Sequence, residues 1–219
     1  MANVKNMERI DAFPTCIYKF EHNFKNNERN DMNNLIASES ISEKDGKKVR
    51  RLGTQENRHL HESKVFEPLV NSIYKHTEDV MEDLGYGYEK LEITNMWGNI
   101  LKPNSSRSAH HPHTHSNNFL SGVFYLQSSL DSSPIVFFDP RPQASVFRPR
   151  KKEQNNLNSD LMELKFNSIQ SSSIGIGIIF PSWLQHWVPQ TNDERISIAW
   201  NIIARGEYGE PNTLQYAHI

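Results

Sequence analysis

The chain contains one cysteine, Cys16, in 219 residues. A lone thiol excludes an internal disulfide framework and a cysteine-rich zinc site, and it suits a reducing, intracellular compartment. Long hydrophobic runs are also missing, since no stretch approaches the roughly eighteen apolar residues that a membrane-spanning helix needs. Met1 to Phe13 is too polar for a secretory signal. Neither sign of charge dominates: 24 Lys+Arg against 26 Asp+Glu leave a formal net charge of −2, so no general attraction to nucleic acid or an anionic membrane is implied. Internal repeats are absent, and the abundant asparagine is scattered rather than tracted. These absences point to a soluble, cytoplasmic protein of one domain, with 36% hydrophobic residues available for a core.

Histidine is what the chain concentrates. His110, His111, His113 and His115, four of ten, fall within six residues, and His186 follows on an apolar run. Neutral imidazole is the commonest protein ligand for first-row transition metals. On extended backbone, residues i and i+2 share a face, so His113 and His115 can grip one ion together while the fold brings a third ligand. The bland alternative is a solvated histidine-rich loop, and His110 and His111 read as bystanders of that kind. Without cysteines, two or three imidazoles with vacant positions suit non-haem Fe(II) better than zinc.

The element pattern begins with a strand at Phe13–Phe20 and a polar helix from about Phe24 to Ala37, with Met32, Leu35 and Ile36 as its inner stripe. Ser38 to His61 reads as charged loop broken at Gly46. A clearer helix spans about Glu62 to Leu84. Its face Phe66, Leu69, Val70, Ile73, Thr77, Val80, Met81, Leu84 steps by threes and fours. Ser63 is a candidate N-cap and Gly85 a C-terminal stop, although Pro68 belongs in a first turn and pulls the regular helix towards itself. Beyond Gly87 the period becomes two. Leu91–Leu101 places Ile93, Asn95, Trp97, Asn99 and Leu101 on one face. Phe119–Leu126, Ile135–Phe138, Ile174–Phe180, the short His186–Val188 and Arg195–Ile203 follow as strands. Short strands joined by Pro-, Ser- and Asn-rich turns indicate an antiparallel sandwich or barrel. Pro140 to Gln170 is a long polar excursion that reads as a flap over one mouth.

His186 begins a strand after the turn at Pro181; alone, such a histidine is more often a satisfied core residue. Arg195, nine positions on, raises its interest, because Arg195 and Ser197 share a strand face and together form a receptor for a carboxylate. An ordinary ion pair of Arg195 with Asp193 or Glu194 is the plain alternative.

Taken together, His113–Asn117 (His-x-His-x-Asn), Leu120–Leu126 (Leu-Ser-Gly-Val-Phe-Tyr-Leu), Phe137–Arg141 (Phe-x-Asp-Pro-Arg), Phe180–His186 (Phe-Pro-Ser-Trp-Leu-x-His) and Glu194–Asn201 (Glu-Arg-Ile-Ser-Ile-Ala-x-Asn) resemble a family of 2-oxoglutarate/Fe(II)-dependent oxygenases found in bacteria and their phages. With Phe13-Pro14-Thr15, which resembles the family's start, the likeness covers nearly the whole chain. It implies a mainly β protein with flanking helices, built as a double-stranded β-helix (a cupin-like jelly roll) of two four-stranded sheets. Residues 1–88 would hold the first strand and supporting helices, 89–206 the core, and 207–219 a tail. It also implies Fe(II) as cofactor and 2-oxoglutarate as cosubstrate. His113 and His186 would be iron ligands, and Arg195 with Ser197 the anchor for the distal carboxylate.

Around that set, Tyr125 either adds a hydroxyl to the cosubstrate pocket or is an inward core aromatic. Asn201, on the Arg195 face, is either a pocket residue or a plain strand-end amide. Asp139 and Arg141 face substrate or pair locally in a turn. The wider superfamily places Asp or Glu two residues after the first histidine, where this chain has His115. A third neutral imidazole leaves the ion one more positive charge than the usual site. The preferred ligands are His113, His115 and His186, with Asn117 beside them; a registration using His115 and Asn117 stays open.

The expected activity is hydroxylation of a C–H bond on a small-molecule or peptide substrate, with release of succinate and CO2. A cupin-like three-histidine dioxygenase that uses no 2-oxoglutarate and a non-catalytic metal-stabilised β-barrel binding module are the alternatives. Neither nucleic acid nor membrane is expected as a partner. The sequence leaves a homodimer open, as it does phage-encoded expression in a bacterial host.

Overall fold

The computed structural model describes residues 12–44, 47–141, 161–164 and 175–219. Its strands are β1 (Tyr18–Glu21), β2 (Ile41–Lys44), β3 (Lys47–Arg50), β4 (Gly53–Thr54), β5 (Lys90–Leu101), β6 (His110–His113), β7 (Leu120–Gln127), β8 (Ile135–Phe138), β9 (Leu161–Leu164), β10 (Ile176–Pro181), β11 (His186–Val188), β12 (Arg195–Arg205), β13 (Glu207–Tyr208) and β14 (Ala217–His218). Two α-helices, α1 (Asn26–Glu39) and α2 (Glu67–Leu84), precede β5. A six-stranded sheet has the order β1-β10-β7-β12-β5-β4, and a four-stranded sheet the order β6-β11-β8-β9. All pairings within both sheets are antiparallel. This is the double-stranded β-helix. The larger sheet exceeds the four strands expected because β1 and β4 extend its edges.

Alternation along the long strands divides the interior into two cores. Leu120, Phe124 and Leu126 of β7, Ile179 of β10, Ile196, Ile198, Trp200 and Ile202 of β12, and Met96 and Ile100 of β5 pack against the helices. The helices meet them with Met32 and Ile36 of α1 and with Leu69, Ile73, Val80 and Met81 of α2. On the opposite face Val123, Tyr125, Ile176, Ile178 and Phe180 join Ile135 and Phe137 of the smaller sheet. Only one end of that inter-sheet space is apolar. At the other end β5 and β12 present Asn95, Trp97, Asn99, Arg195, Ser197, Ala199 and Asn201, which line a cavity of about 630 Å3.

Five expectations need correction. Ile93 does not share a face with Asn95: Asn201 pairs with Asn95 while Ile202 pairs with Ile93, so Thr94 is an extra bulge residue. A single inserted residue reverses every side chain beyond it, and Ile93 joins the helix-side core. Second, the α-helix begins at Glu67, after single 3₁₀ turns at Leu60–Glu62 and Lys64–Phe66; Ser63 makes no side-chain cap, and Pro68 sits in the first turn. Gly85 does end the helix, at φ 71°. Third, the segment expected as loop between Ser38 and His61 contains the β2–β3 hairpin and β4. The hairpin's mostly charged sequence, Ile-Ser-Glu-Lys and Lys-Lys-Val-Arg, gives no alternating apolar signal. Fourth, Phe13–Ile17 is not strand. The last residues are likewise more than a tail, because β13 pairs with β14. Gly46, the Arg148–Lys152 run and most of the Pro140–Gln170 excursion lie outside the described residues; Leu161–Leu164 pairs with β8. No described helix is long and apolar enough to cross a membrane.

Candidate active site

His113 ends β6 and stands directly opposite His186, the first residue of β11. His115 lies two residues past the end of β6, where its backbone N–H donates to the Ser182 carbonyl at 2.9 Å. The extended backbone thus continues far enough to turn both imidazoles of the pair toward His186. Ring centroids are 4.4 Å apart for His113 and His186, and 5.1 Å for His115 with either neighbour. One nitrogen from each ring lies within 4.8 Å of the other two.

Each ring is also fixed through its second nitrogen. His113 Nδ1 faces the His111 carbonyl at 2.7 Å, and His186 Nδ1 faces the Leu184 carbonyl at 2.9 Å. His115 Nδ1 is hydrogen-bonded to Asn201 Oδ1. A carbonyl or amide oxygen can only accept, so all three protons belong on Nδ1 and all three Nε2 lone pairs remain free. Asn201 is itself held: Ser121 Oγ donates to its Oδ1 at 2.7 Å, and its Nδ2 donates to Asn95 Oδ1 at 2.6 Å.

Burial favours the neutral form of His186 and His115. Desolvation pushes His186 down to about 3, helped by the neighbouring histidines, and the Leu184 carbonyl opposes the shift. His115 is lowered by the same desolvation, with Asn201 partly offsetting it. Neutral imidazole is the form that binds a metal, so the set is chemically ready to hold one.

Arg195 lies deeper in the same cavity. It is 2% exposed, its guanidinium carbon sits 4.7 Å from the Tyr125 ring centroid, and its Nε and Nη1 find no hydrogen-bond partner among the described residues. A buried cation with unfilled donors demands an acceptor. Ser197, 1% exposed, follows on the same face of β12. The ion pair of Arg195 with an adjacent acid does not form: Glu194 pairs instead with Lys102 at 2.6 Å.

The structure therefore brings His113, His115, His186, Arg195, Ser197 and Asn201 around one cavity, with Tyr125 beneath the guanidinium. It does not bring Asn117, Asp139 or Arg141 there. Asn117 occupies an exposed left-handed turn at φ 61°. Arg141 grips Asp139 through Nε at 2.9 Å and Nη2 at 2.7 Å, a local turn pair away from the cavity lining.

Other residues escaped sequence reasoning. His110 lines the cavity rather than a bystander loop, and Trp97 stacks on His115 with ring centroids 5.8 Å apart. Arg58 lies over Trp97, 5.6 Å from the ring centroid. Alternation alone turns His110 away from His113, and the irregular register between β6 and β11 is not announced by any local signal; Arg58 sits in a segment without period. His59, His61 and Glu62 also bring ligand atoms within 4.8 Å, but at the surface, where Glu62 pairs with His59 at 3.4 Å.

Residues 95–201 match the profile of a family described as "Putative 2OG-Fe(II) oxygenase". This segment is a 2OG-Fe(II) oxygenase domain. Its boundaries run from Asn95 to Asn201, the amide pair that braces His115. The oxygenase fold recurs in solved structures. A prolyl-4-hydroxylase from Pseudomonas putida is similar at TM-score 0.52 and 11% identity, over 88% of this chain and 89% of that one. HygX from Streptomyces hygroscopicus, solved with nickel, 2-oxoglutarate and hygromycin B, gives 0.53 and 12%, over 87% and 83%. AviO1 from Streptomyces viridochromogenes gives 0.56 and 9%, over 93% of each chain. No curated protein matches. The matched segment thus carries the profile and the fold of a 2OG-Fe(II) oxygenase, and its three histidines could hold a metal ion.

Proposed function

We propose that this oxygenase hydroxylates a C–H bond of a small-molecule or peptide substrate, with His113, His115 and His186 holding the iron and Arg195 with Ser197 receiving the distal carboxylate of 2-oxoglutarate. The observation that carries the reading is the buried Arg195 guanidinium, whose Nε and Nη1 have no partner among the described residues, in a cavity that also holds three convergent Nε2 lone pairs. The two features match the two ends of the cosubstrate, a metal-chelating keto acid and a remote carboxylate. A three-histidine dioxygenase without cosubstrate leaves Arg195 unexplained.

Bound in this site, the iron and cosubstrate supply the oxidising power, consuming dioxygen and releasing succinate and CO2. The chain's own residues set geometry. Three neutral imidazoles would hold the ion and would leave room on it for a chelating keto acid. Asn201, Leu184 and His111 fix the proton on each Nδ1, so no ring can present the wrong nitrogen. Arg195 orients the keto acid, and the apolar side chains Val123, Ile135 and Phe180 limit water in the adjoining wall. Among the described residues no Asp or Glu lines the cavity, and Arg58 and Arg195 are the only formal charges there when the rings are neutral.

Anaerobic addition of Fe(II) and then 2-oxoglutarate tests the reading. A visible charge-transfer band is expected only with both, lost in Arg195→Ala, and admission of oxygen should yield succinate. Iron binding with no such band, and no succinate, would overturn it.

A further inference from the structure

We propose that His110 is a second contact for the distal carboxylate of 2-oxoglutarate, donating from Nε2 alongside the Arg195 guanidinium. The inference rests on the reading of Arg195 given above and adds a residue to it. His110 opens β6, opposite Val188 of β11, and it lines the same cavity as Arg195 and Ser197. Its Nε2 is fully buried yet makes no hydrogen bond. Two unfilled polar groups, the His110 ring nitrogen and the Nε–Nη1 side of the Arg195 guanidinium, therefore face one cavity that no carboxylate of the described residues lines. Isolated burial of either is costly, and buried polar groups are nearly always satisfied. One carboxylate has two oxygens and about four lone-pair sites, enough to satisfy both donors at once.

The electrostatics agree with this placement. Desolvation holds His110 down to about 4, and Arg195 is the largest charge acting on it, ahead of His113 and His111. A neutral imidazole with its proton on Nε2 is a donor that adds no further charge beside the guanidinium. A bound carboxylate then receives two kinds of hydrogen bond, one charge-assisted from Arg195 and one neutral from His110. His110 also stands three residues before His113 on the same strand, so β6 would carry both a contact for the cosubstrate's far end and a ligand for the metal at its near end. That spacing would fix the distance between the two on a rigid element.

The test compares 2-oxoglutarate with 2-oxobutyrate, which has the same keto-acid head and no distal carboxylate. Each is titrated anaerobically into the Fe(II)-loaded full chain, following the charge-transfer band, with thermal shift as an independent readout. His110→Ala is expected to weaken 2-oxoglutarate about tenfold or more, the loss of one good buried hydrogen bond, and to leave 2-oxobutyrate unchanged. His110→Gln, which keeps an N–H donor at similar reach, should recover most of the loss and guards against a folding artefact in the alanine variant. Two results would overturn the proposal: 2-oxoglutarate binding His110→Ala within twofold of the parent, or both keto acids weakening equally. Arg195→Ala serves as the control. If it too fails to discriminate between the keto acids, the anchor reading itself is wrong, and the role assigned to His110 goes with it.

Discussion

Asn201 holds His115 by its far nitrogen: the amide oxygen of one faces Nδ1 of the other, beneath the ring that Trp97 covers. Ser121 and Asn95 hold Asn201 in turn, at 2.7 Å and 2.6 Å, so three strands of the larger sheet converge on the orientation of one imidazole. Removing the amide should free His115 to change tautomer and tilt. Asn201→Ala is expected to weaken metal binding by roughly 10–100-fold, the usual consequence of losing a hydrogen bond behind a ligand. Asn201→Asp keeps an acceptor and should retain most of the affinity. Competition with a coloured chelator measures both. Equal affinity in the alanine variant and the parent would show that His115 does not need this support.

The three histidines should not contribute alike. His186 is buried and faces His113 across a strand pair, whereas His115 lies just beyond the strand end. His113→Ala and His186→Ala should each abolish stoichiometric Fe(II) binding. His115→Ala leaves an opposed pair and should bind more weakly, with the charge-transfer band reduced. Metal analysis after gel filtration and titration with Fe(II) separate the cases; undiminished binding in His186→Ala would remove the centre from this place.

Acid should destabilise the metal-free protein through the same burial. The native state holds His186 at about 3 and His110 at about 4, against an ordinary 6.5 in the unfolded chain. Between those values the unfolded chain binds more protons than the native one, so stability is full above about pH 7 and declines as the pH falls from about 6.5 towards 4. Each group contributes a slope of up to about 1.4 kcal/mol per pH unit in that window. Thermal unfolding with chelator present at pH 7.5, 6 and 5 should show the decline, and His110→Gln should flatten it. An unfolding midpoint that holds constant from pH 7.5 to 5 contradicts the assignment.

Packing of the helix-side core against β7 should be intolerant of even one methyl group at Gly122. A Cβ there would meet Trp200 Cζ2 at 2.2 Å and the Ile178 carbonyl oxygen at 2.7 Å. Trp200 is fully buried and the carbonyl belongs to the neighbouring strand, so neither can retreat cheaply. Gly122→Ala is expected to cost about 1–3 kcal/mol or more, as overpacking does. Urea unfolding monitored by tryptophan fluorescence checks it, and an unshifted midpoint would mean that the sheet flexes locally.

Strong periodicity made much of this legible beforehand. The alternation from Arg195 to Asn201 placed a guanidinium, a hydroxyl and an amide on one face, and the structure has them lining one cavity. The i, i+2 rule likewise turned His113 and His115 the same way. What stayed hidden depended on pairing between distant segments. Ile93 was assigned to the wrong face because nothing local to Thr94 announces a bulge; it arises from the register with β12. The sequence leaves Asn201 between a pocket residue and a strand-end amide, because its partner, His115, is 86 residues away. The β2–β3 hairpin has a mostly charged sequence that resembles that of a loop.

Arg195 places function and stability in opposition. A guanidinium that is 2% exposed, with Nε and Nη1 unsatisfied, is a burden on the cosubstrate-free fold, relieved only in part by the Tyr125 ring beneath it. Arg195→Met fills nearly the same space without the charge. It is therefore expected to unfold at a higher temperature than the parent when 2-oxoglutarate is absent, by roughly 1–4 kcal/mol, as when other buried charges are replaced by apolar groups. Addition of 2-oxoglutarate with Fe(II) should raise the parent's unfolding temperature and leave the variant's unmoved, because a ligand stabilises only the state that binds it. The two melting curves would then approach or cross as the cosubstrate concentration rises. A variant less stable than the parent in the absence of 2-oxoglutarate would mean that Arg195 is satisfied within the folded chain, and its role as a waiting receptor for a carboxylate would fail.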